Sequence, residues 1–217
     1  MGASRYHSPR RADAAAATRS AILAAGRALF MSNGYAATTV PQIARCAGVA
    51  VPTVYTSTGG KADILAALLE PVVHDPAVGE TLAAVTTRED AVEIMSLLGE
   101  GVRLTHERHW DVISDLFPQS RSEPAAAAVY DRIVLAYQQS LGVVADRLAA
   151  LGALRPGLSR EDALDLLWFY LGETAWTALV RDRGWTLERA RDWLTASATA
   201  ALLPESGESR TPTMGGQ

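Results

Sequence analysis

Hydrophobic side chains recur every three or four residues along most of the chain, which is the spacing of amphipathic helices. In the first such segment, roughly residues 13–32, Ile22, Ala25, Leu29 and Phe30 fall on one face. Glycine, proline and capping residues divide the pattern into about nine segments, and none shows the alternation expected of a strand. We therefore predict an all-α fold of about nine helices.

Two short helices follow in residues 39–57. Thr39 and Gln42, three residues apart, form the capping box that marks a helix start, and Gly48 ends this helix in a tight turn. A second short helix spans about residues 50–57. Two short helices joined by a tight turn that contains glycine are typical of a helix-turn-helix motif.

The second short helix has polar side chains at its outward positions. When Val54 packs inward against Ile43, Thr53, Tyr55 and Thr56 point outward. Short polar side chains and one aromatic ring, on a thin helix, are suited to contact base edges and phosphates in a DNA major groove. The same pattern also fits a helical hairpin in an ordinary bundle.

The distribution of charge favours the DNA interpretation. The chain has a formal net charge of −4, which divides into +5 through residue 65 and −9 beyond it. Such asymmetry indicates that the N-terminal part meets a polyanion and that the remainder does not.

Cysteine content and hydropathy indicate the compartment. The single cysteine, Cys46, excludes an internal disulfide, and its alanine-rich surroundings predict a small buried side chain. No apolar run reaches the roughly 18 residues of a membrane span, and the first twenty residues lack the apolar core of a signal peptide. We expect a cytoplasmic protein with no membrane partner.

A family resemblance extends through the helix-turn-helix segment. The stretches TRSAILAA, NGY, TTV, AGV and KADIL, in this order between Thr18 and Leu65, resemble the N-terminal domain of TetR-type transcriptional regulators. The resemblance implies a dimeric repressor that binds a palindromic operator and is released by a small ligand. Residues 179–204 are similar to the last two helices of such regulators, which pair with their copies in a four-helix interface.

The resemblance and the predicted helix boundaries together give four regions. Residues 1–12 are predicted to be a flexible basic arm and residues 13–65 a helix-turn-helix DNA-binding domain. Residues 66–204 form a helical effector-binding and dimerisation domain, and residues 205–217 a disordered tail.

The resemblance also implies which residues contact DNA. Thr39, Tyr55 and Lys61 match positions that contact phosphates, and Pro52 and Thr53 lie where the third helix meets the groove. The predicted DNA-binding residues are Thr39, Gln42, Val51, Pro52, Thr53, Tyr55, Thr56 and Lys61, together with Arg10 and Arg11 of the arm.

The third helix departs from the family pattern. Ala50 and Val51 stand where Ser-Lys or Ser-Arg is frequent, and Thr56 to Thr58 replace basic or bulky aromatic residues. This helix therefore has no side chain for the bidentate base contacts worth about 1–3 kcal/mol each, although Val51 and the threonine methyls can pack on thymine methyls. Specificity then depends partly on DNA shape, or binding is weak. The alternative function is a small-molecule-binding or scaffold protein with weakened DNA binding.

Residues 164–171 are apolar nearly all round, which predicts burial on two sides, against the chain's own body and against a second subunit. The last helix has an apolar stripe that could pack against this segment. An unusually thick monomer core remains the other interpretation. The predicted dimer-interface residues are Leu164, Leu167, Trp168, Leu171, Ala190, Trp193, Leu194 and Ala198.

Aromatic and histidine side chains on the body helices are candidates for an effector pocket, although the same spacing is typical of a plain core. The predicted ligand-binding residues are His106, His109, Trp110, Tyr130, Tyr137, Trp168 and Trp176. His106 and His109 are three residues apart, not the four of the zinc-protease pattern, so we predict no metal. We find no phosphate loop or nucleophile elbow and expect neither a cofactor nor an enzyme.

Overall fold

We describe the fold from a computed structural model, which describes the backbone of residues 9–120 and 124–204. Within these residues every regular element is helical, so the predicted all-α class is confirmed. The helices are α1 (Pro9–Asn33), α2 (Val40–Cys46), α3 (Val51–Ser57), α4 (Lys61–Val73), α5 (Pro76–Thr87), α6 (Ala91–Asp111), α7 (Phe117–Ser120), α8 (Pro124–Ala150), α9 (Arg160–Leu171), α10 (Glu173–Trp176) and α11 (Leu187–Leu202). There are also two π-helical segments. Val112–Leu116 connects α6 to α7, and Thr177–Asp182 follows α10.

The described residues divide into two compact units. The first contains the chain up to His74 together with His109–Leu135, and the second contains Asp75–Arg108 together with the chain from Ala136. This division differs from the predicted boundary at residue 65, because α4 continues to Val73 and the segment after residue 109 returns to the first unit.

Helices α1 to α4 surround one apolar core in the first unit. Ile22, Phe30, Ile43, Val54 and Ile64 are fully buried in it. The segment that follows α6 adds further buried side chains to the same core: Val112, Ile113, Leu116 and Phe117. Burial of these side chains fixes the position of the two short helices on α1 and α4.

The predicted start and turn of the helix-turn-helix are confirmed. Thr39 caps α2, its main-chain N–H donates to Gln42 Oε1 at 2.8 Å, and its hydroxyl accepts from Gln42 N at 3.4 Å. Gly48, at the turn between α2 and α3, has a φ of 69°, which is unfavourable for any residue with a Cβ.

Three local features of the described helices add to this outline. Helix α1 begins at Pro9, so residues 9–12 of the predicted arm are helical, while residues 1–8 and the tail 205–217 lie outside the described residues. The segment after His74 contains α5, which Asp75 caps by accepting a hydrogen bond from Ala77 N at 2.8 Å. Helix α6 contains a kink at His109, where φ is −125° and ψ is 20°, so two helical segments meet there.

Two further observations concern surface and membrane. Cys46 is exposed, so the prediction that it is a buried filler is wrong. Among the described helices, none is both long and apolar enough to cross a membrane.

Candidate nucleic-acid interface and the predicted ligand and dimer residues

Helix α3 presents the outward face expected from the sequence. Tyr55 is 56% exposed, Pro52 and Thr56 are exposed, and Thr53 is half-buried. Val54 on the opposite side is fully buried. Val51 is half-buried and packs against the core, so less of it is available at the surface than the sequence suggested.

The threonine hydroxyls of α3 bond to the helix itself. Thr56 Oγ1 donates to the main-chain oxygens of Pro52 at 3.1 Å and Thr53 at 3.2 Å, which are alternative acceptors for its one proton. Thr58, which is buried, donates to the oxygen of Val54 at 2.9 Å. Thr58 is thus satisfied at the end of α3, where the family often has a large aromatic residue.

The two predicted contacts on α2 take part in its cap. Besides accepting from the main chain, Gln42 Oε1 accepts from the Thr39 hydroxyl at 2.9 Å. Thr39 is exposed and Gln42 half-buried. The cap holds the first turn of α2 in place, and the contact of these residues with DNA stays a prediction.

Lys61 lies against its own chain. Its Nζ donates to the main-chain oxygen of Tyr35 at 2.9 Å and lies 4.3 Å from the centroid of the Tyr35 ring. Lys61 is half-buried. The ammonium therefore fastens the start of α4 to the loop after α1, a role that the sequence did not indicate.

Sequence reasoning also missed two arginines of α1. Arg19 Nη1 donates to the main-chain oxygen of Ser57 at 2.8 Å, and Arg27 forms an ion pair with Asp111. Their partners lie 38 and 84 residues away, so no local signal could have identified them. Of the predicted arm arginines, Arg11 is exposed, and the side chain of Arg10 lies outside the described residues.

Four of the predicted ligand residues lie in the second unit and form two pairs. His106 and Trp176 stack with ring centroids 4.5 Å apart, and both are buried. The Tyr137 and Trp168 rings lie 5.8 Å apart, and the Tyr137 hydroxyl donates to the oxygen of Leu171 at 2.8 Å. Burial also raises the pKa of Tyr137, so this hydroxyl stays protonated.

His106 is neutral at physiological pH. Burial lowers its pKa to about 4. Its Nδ1 lies 2.8 Å from the main-chain oxygen of Val102, and since a carbonyl can only accept, Nδ1 carries the proton. The imidazole of His106 and the indole of Trp176 therefore form an uncharged aromatic pair.

The other predicted ligand residues, His109, Trp110 and Tyr130, belong to the first unit. The Tyr130 ring packs edge-on against Phe117 at 5.9 Å and belongs to the core that supports the helix-turn-helix. The predicted pocket set is thus divided between two units. An open groove of about 850 Å³ between α6 and α11 in the second unit is lined by none of these residues.

The predicted dimer residues need a correction. Leu167 and Leu171 of α9 and Leu194 of α11 are almost fully enclosed in their own chain, as are Ala190 and Ala198. They lie on the helices that pack against each other in one subunit, so assigning them to an intersubunit surface is wrong. The apolar stripe was the intrachain face of both helices.

Other positions on α9 and α11 remain available for a partner. Phe169 is 70% exposed and Trp193 is 51% exposed. Leu164 and Trp168 are half-buried. The Trp193 ring packs edge-on against Trp185 at 6.0 Å, which holds it in a fixed orientation at the surface.

No group of three or more histidine, cysteine or acidic side chains suited to hold a metal ion occurs among the described residues.

Comparison with known proteins gives a consistent result. The profile of the family described as bacterial regulatory proteins, tetR family, matches residues 22–68. A search of curated protein sequences gave no significant match. Many solved structures, in contrast, resemble the chain over most of its length.

Three solved structures illustrate this likeness. NalD, the secondary repressor of the MexAB-OprM multidrug efflux pump in Pseudomonas aeruginosa, is 24% identical, with 89% of this chain and 99% of NalD covered and a TM-score of 0.73. SmeT in its complex with triclosan is 22% identical, with 88% of this chain and 93% of SmeT covered and a TM-score of 0.69. SmeT is the repressor of the Stenotrophomonas maltophilia multidrug efflux pump SmeDEF. FadR from Bacillus subtilis, bound to stearoyl-CoA, is 20% identical, with coverage of 84% and 98% and a TM-score of 0.68.

The family profile covers α2, α3 and parts of the two helices that hold them, and the chain as a whole shares the fold of these regulators. Residues 22–68 therefore form a helix-turn-helix domain of the TetR family, and the chain as a whole shares its fold with solved regulators that carry this domain.

Proposed function

We propose that the chain is a ligand-responsive repressor that binds a palindromic operator as a homodimer and leaves it when a small molecule binds. The observation that carries the proposal is the exposed face of α3, with Pro52, Tyr55 and Thr56 outward and Val54 in the core. A bundle helix with no partner would gain nothing from an exposed tyrosine beside a short polar face. A duplex would cover it.

A homodimer follows from the way such a motif reads DNA. Two reading helices must be held about one helical turn apart to contact the two halves of a palindrome. Phe169 and Trp193 offer exposed apolar surface on α9 and α11 for this contact. Since its target is chromosomal DNA, we place the protein in the cytoplasm.

The effector is proposed to be a small, largely apolar molecule. SmeT has been solved with triclosan and FadR with stearoyl-CoA, and both triclosan and the stearoyl chain are apolar. In the present chain, the neutral His106–Trp176 pair and the Tyr137–Trp168 pair make part of the second unit's interior aromatic, with few polar atoms. The members of the family and the solved neighbours are regulators. We propose that this chain is likewise a regulator and has no enzymatic activity.

The test is a gel shift with the intergenic DNA beside the protein's own gene, titrated with salt and compared with an unrelated duplex of equal length. We expect at least a thousandfold preference for one intergenic site, the lower end of specific recognition. Tyr55→Ala should weaken this binding about tenfold and leave the melting temperature unchanged, since Tyr55 is exposed. A panel of apolar small molecules should then release the DNA.

A second candidate is a small-molecule-binding or scaffold protein with weakened DNA binding. It is favoured by the composition of α3, which contains no Arg, Lys, Asn or Gln. This candidate predicts equal, weak and strongly salt-dependent binding to both duplexes. Full-strength binding by Tyr55→Ala would also favour it over the repressor.

A further inference from the structure

The outward side chains of α3 are unusual for a reading helix because none of them makes a bidentate base contact. Guanine presents two acceptors in the major groove and is mainly read by Arg or Lys, whereas adenine is read by Asn or Gln. The exposed or half-exposed residues of α3 are Val51, Pro52, Thr53, Tyr55, Thr56 and Ser57. Their outward atoms are ring carbons, methyl groups and hydroxyls.

The Thr56 hydroxyl is also restricted by its internal bond. Its only proton is directed to the oxygen of Pro52 at 3.1 Å or of Thr53 at 3.2 Å. While it makes this bond, the hydroxyl keeps lone pairs but has no proton to donate to guanine N7 or O6. What Thr56 offers to a base is its methyl group and an acceptor.

Pro52 extends this apolar surface. It lies one turn before Thr56, so the two side chains are neighbours on the same face of α3. Proline has no N–H and a ring of methylene groups. Val51 contributes less because it packs against the core. The exposed ring of Tyr55 lies beside the pair, at i+3 from Pro52.

In the major groove, the thymine C5-methyl is the apolar group that distinguishes one base from the others. We propose that α3 reads thymine methyl groups through Pro52 and Thr56, so that each operator half-site carries A·T pairs where it faces them. This inference rests on the proposed function. It names the class of DNA sequence that the site takes.

The experiment begins with a pool of randomised duplexes, from which the protein selects its own binding sequence. The selected duplex is then made with thymine, and again with uracil at one half-site position at a time. Uracil lacks only the methyl group and keeps every hydrogen-bonding group. Each methyl that contacts α3 should be worth about three- to fivefold in affinity, or about 10- to 25-fold when both half-sites are changed.

Two matched variants assign the effect to Thr56. Thr56→Ser keeps the hydroxyl and its internal bond but removes the methyl, and should bind thymine and uracil duplexes equally at the position concerned. Thr56→Val keeps a methyl and loses the hydroxyl, and should retain the preference for thymine. Thr56 is exposed, so neither change disturbs the core.

The outcomes separate this inference from the proposed function. If the protein selects no sequence from the pool, both the proposed function and the thymine readout are contradicted. Selection of a sequence that binds equally well with uracil overturns only the thymine readout, as does a selected half-site with G·C pairs throughout. A thymine preference that Thr56→Ser does not reduce also overturns it.

Discussion

Arg19 Nη1 of α1 donates to the main-chain oxygen of Ser57, the last residue of α3, at 2.8 Å. The last carbonyl groups of a helix have no partner within the helix and carry partial negative charge, which a cation stabilises. Helix α3 has no basic residue in its own last turn. Arg19 therefore supplies from α1 the charge that α3 lacks.

Replacing Arg19 with methionine keeps an unbranched side chain that suits a helix and removes both the charge and the donor. We expect a loss of about 0.5 kcal/mol or less in the free energy of unfolding, because Arg19 is exposed and solvent screens it. The larger effect should be local, with faster hydrogen–deuterium exchange in residues 51–60. Arg45→Met, at an exposed arginine of α2, is the control and should leave this exchange unchanged.

Replacing both Arg10 and Arg11 with alanine tests whether the start of α1 contacts phosphates. The slope of log K against log salt should fall in magnitude by about 0.9 for each lost contact, and by twice that in a dimer. Arg183→Ala, at an exposed arginine of the second unit, is the matched control. An unchanged slope in the double variant would remove these arginines from the interface.

Phe169 and Trp193 should anchor the proposed homodimer. Phe169→Glu places a charge in an apolar contact, where an unpaired charge is costly, and should shift the sedimenting species toward one chain of 23.1 kDa. Val92→Glu, at an exposed apolar residue of α6, should leave the dimer intact. A wild-type protein that sediments as a single chain at micromolar concentration would contradict the homodimer itself.

The buried His106 should make folding stability depend on pH. Its pKa is about 4 when folded, against about 6.5 when unfolded, so the unfolded chain takes up the proton first. The contribution of neutral, buried His106 to the free energy of unfolding is complete above pH 6.5. It falls as the pH drops and is lost by about pH 4. The total change is about 3 kcal/mol.

His106→Phe keeps a flat ring against Trp176 and removes the titrating group. The difference in urea-unfolding free energy between wild type and His106→Phe should therefore change between pH 6.5 and pH 4. His74→Gln, at an exposed histidine, should show the wild-type dependence. Parallel curves for wild type and His106→Phe would show that His106 does not titrate in this range.

The elements that the sequence predicted correctly depend on local interactions. The capping box of Thr39 and Gln42 and the turn at Gly48 each involve residues within a few positions, so their signals are visible in the chain. Ser159 and Asp162, which form the capping box of α9, are likewise three residues apart. Pro76 lies in the first turn of α5, a position where proline is favoured, so this helix start is a local signal too.

Features set by distant residues were not visible in the same way. The apolar character of residues 164–171 indicated burial but not which side chains face α11 and which face outward. Leu167 is buried and Phe169 is exposed, although both are large and apolar. The roles of Lys61 and Arg19 likewise depend on main-chain oxygens brought near by folding.

The exposure of Cys46 offers a direct way to measure how two subunits are arranged. It is the only cysteine in the sequence and lies on α2, beside the helix that we expect to read DNA. A thiol-reactive spin label would therefore attach at one place per chain without further mutagenesis. In a dimer, the separation of the two labels by pulsed electron paramagnetic resonance would give the spacing of the reading heads, and its change with an effector would measure how far the effector moves them.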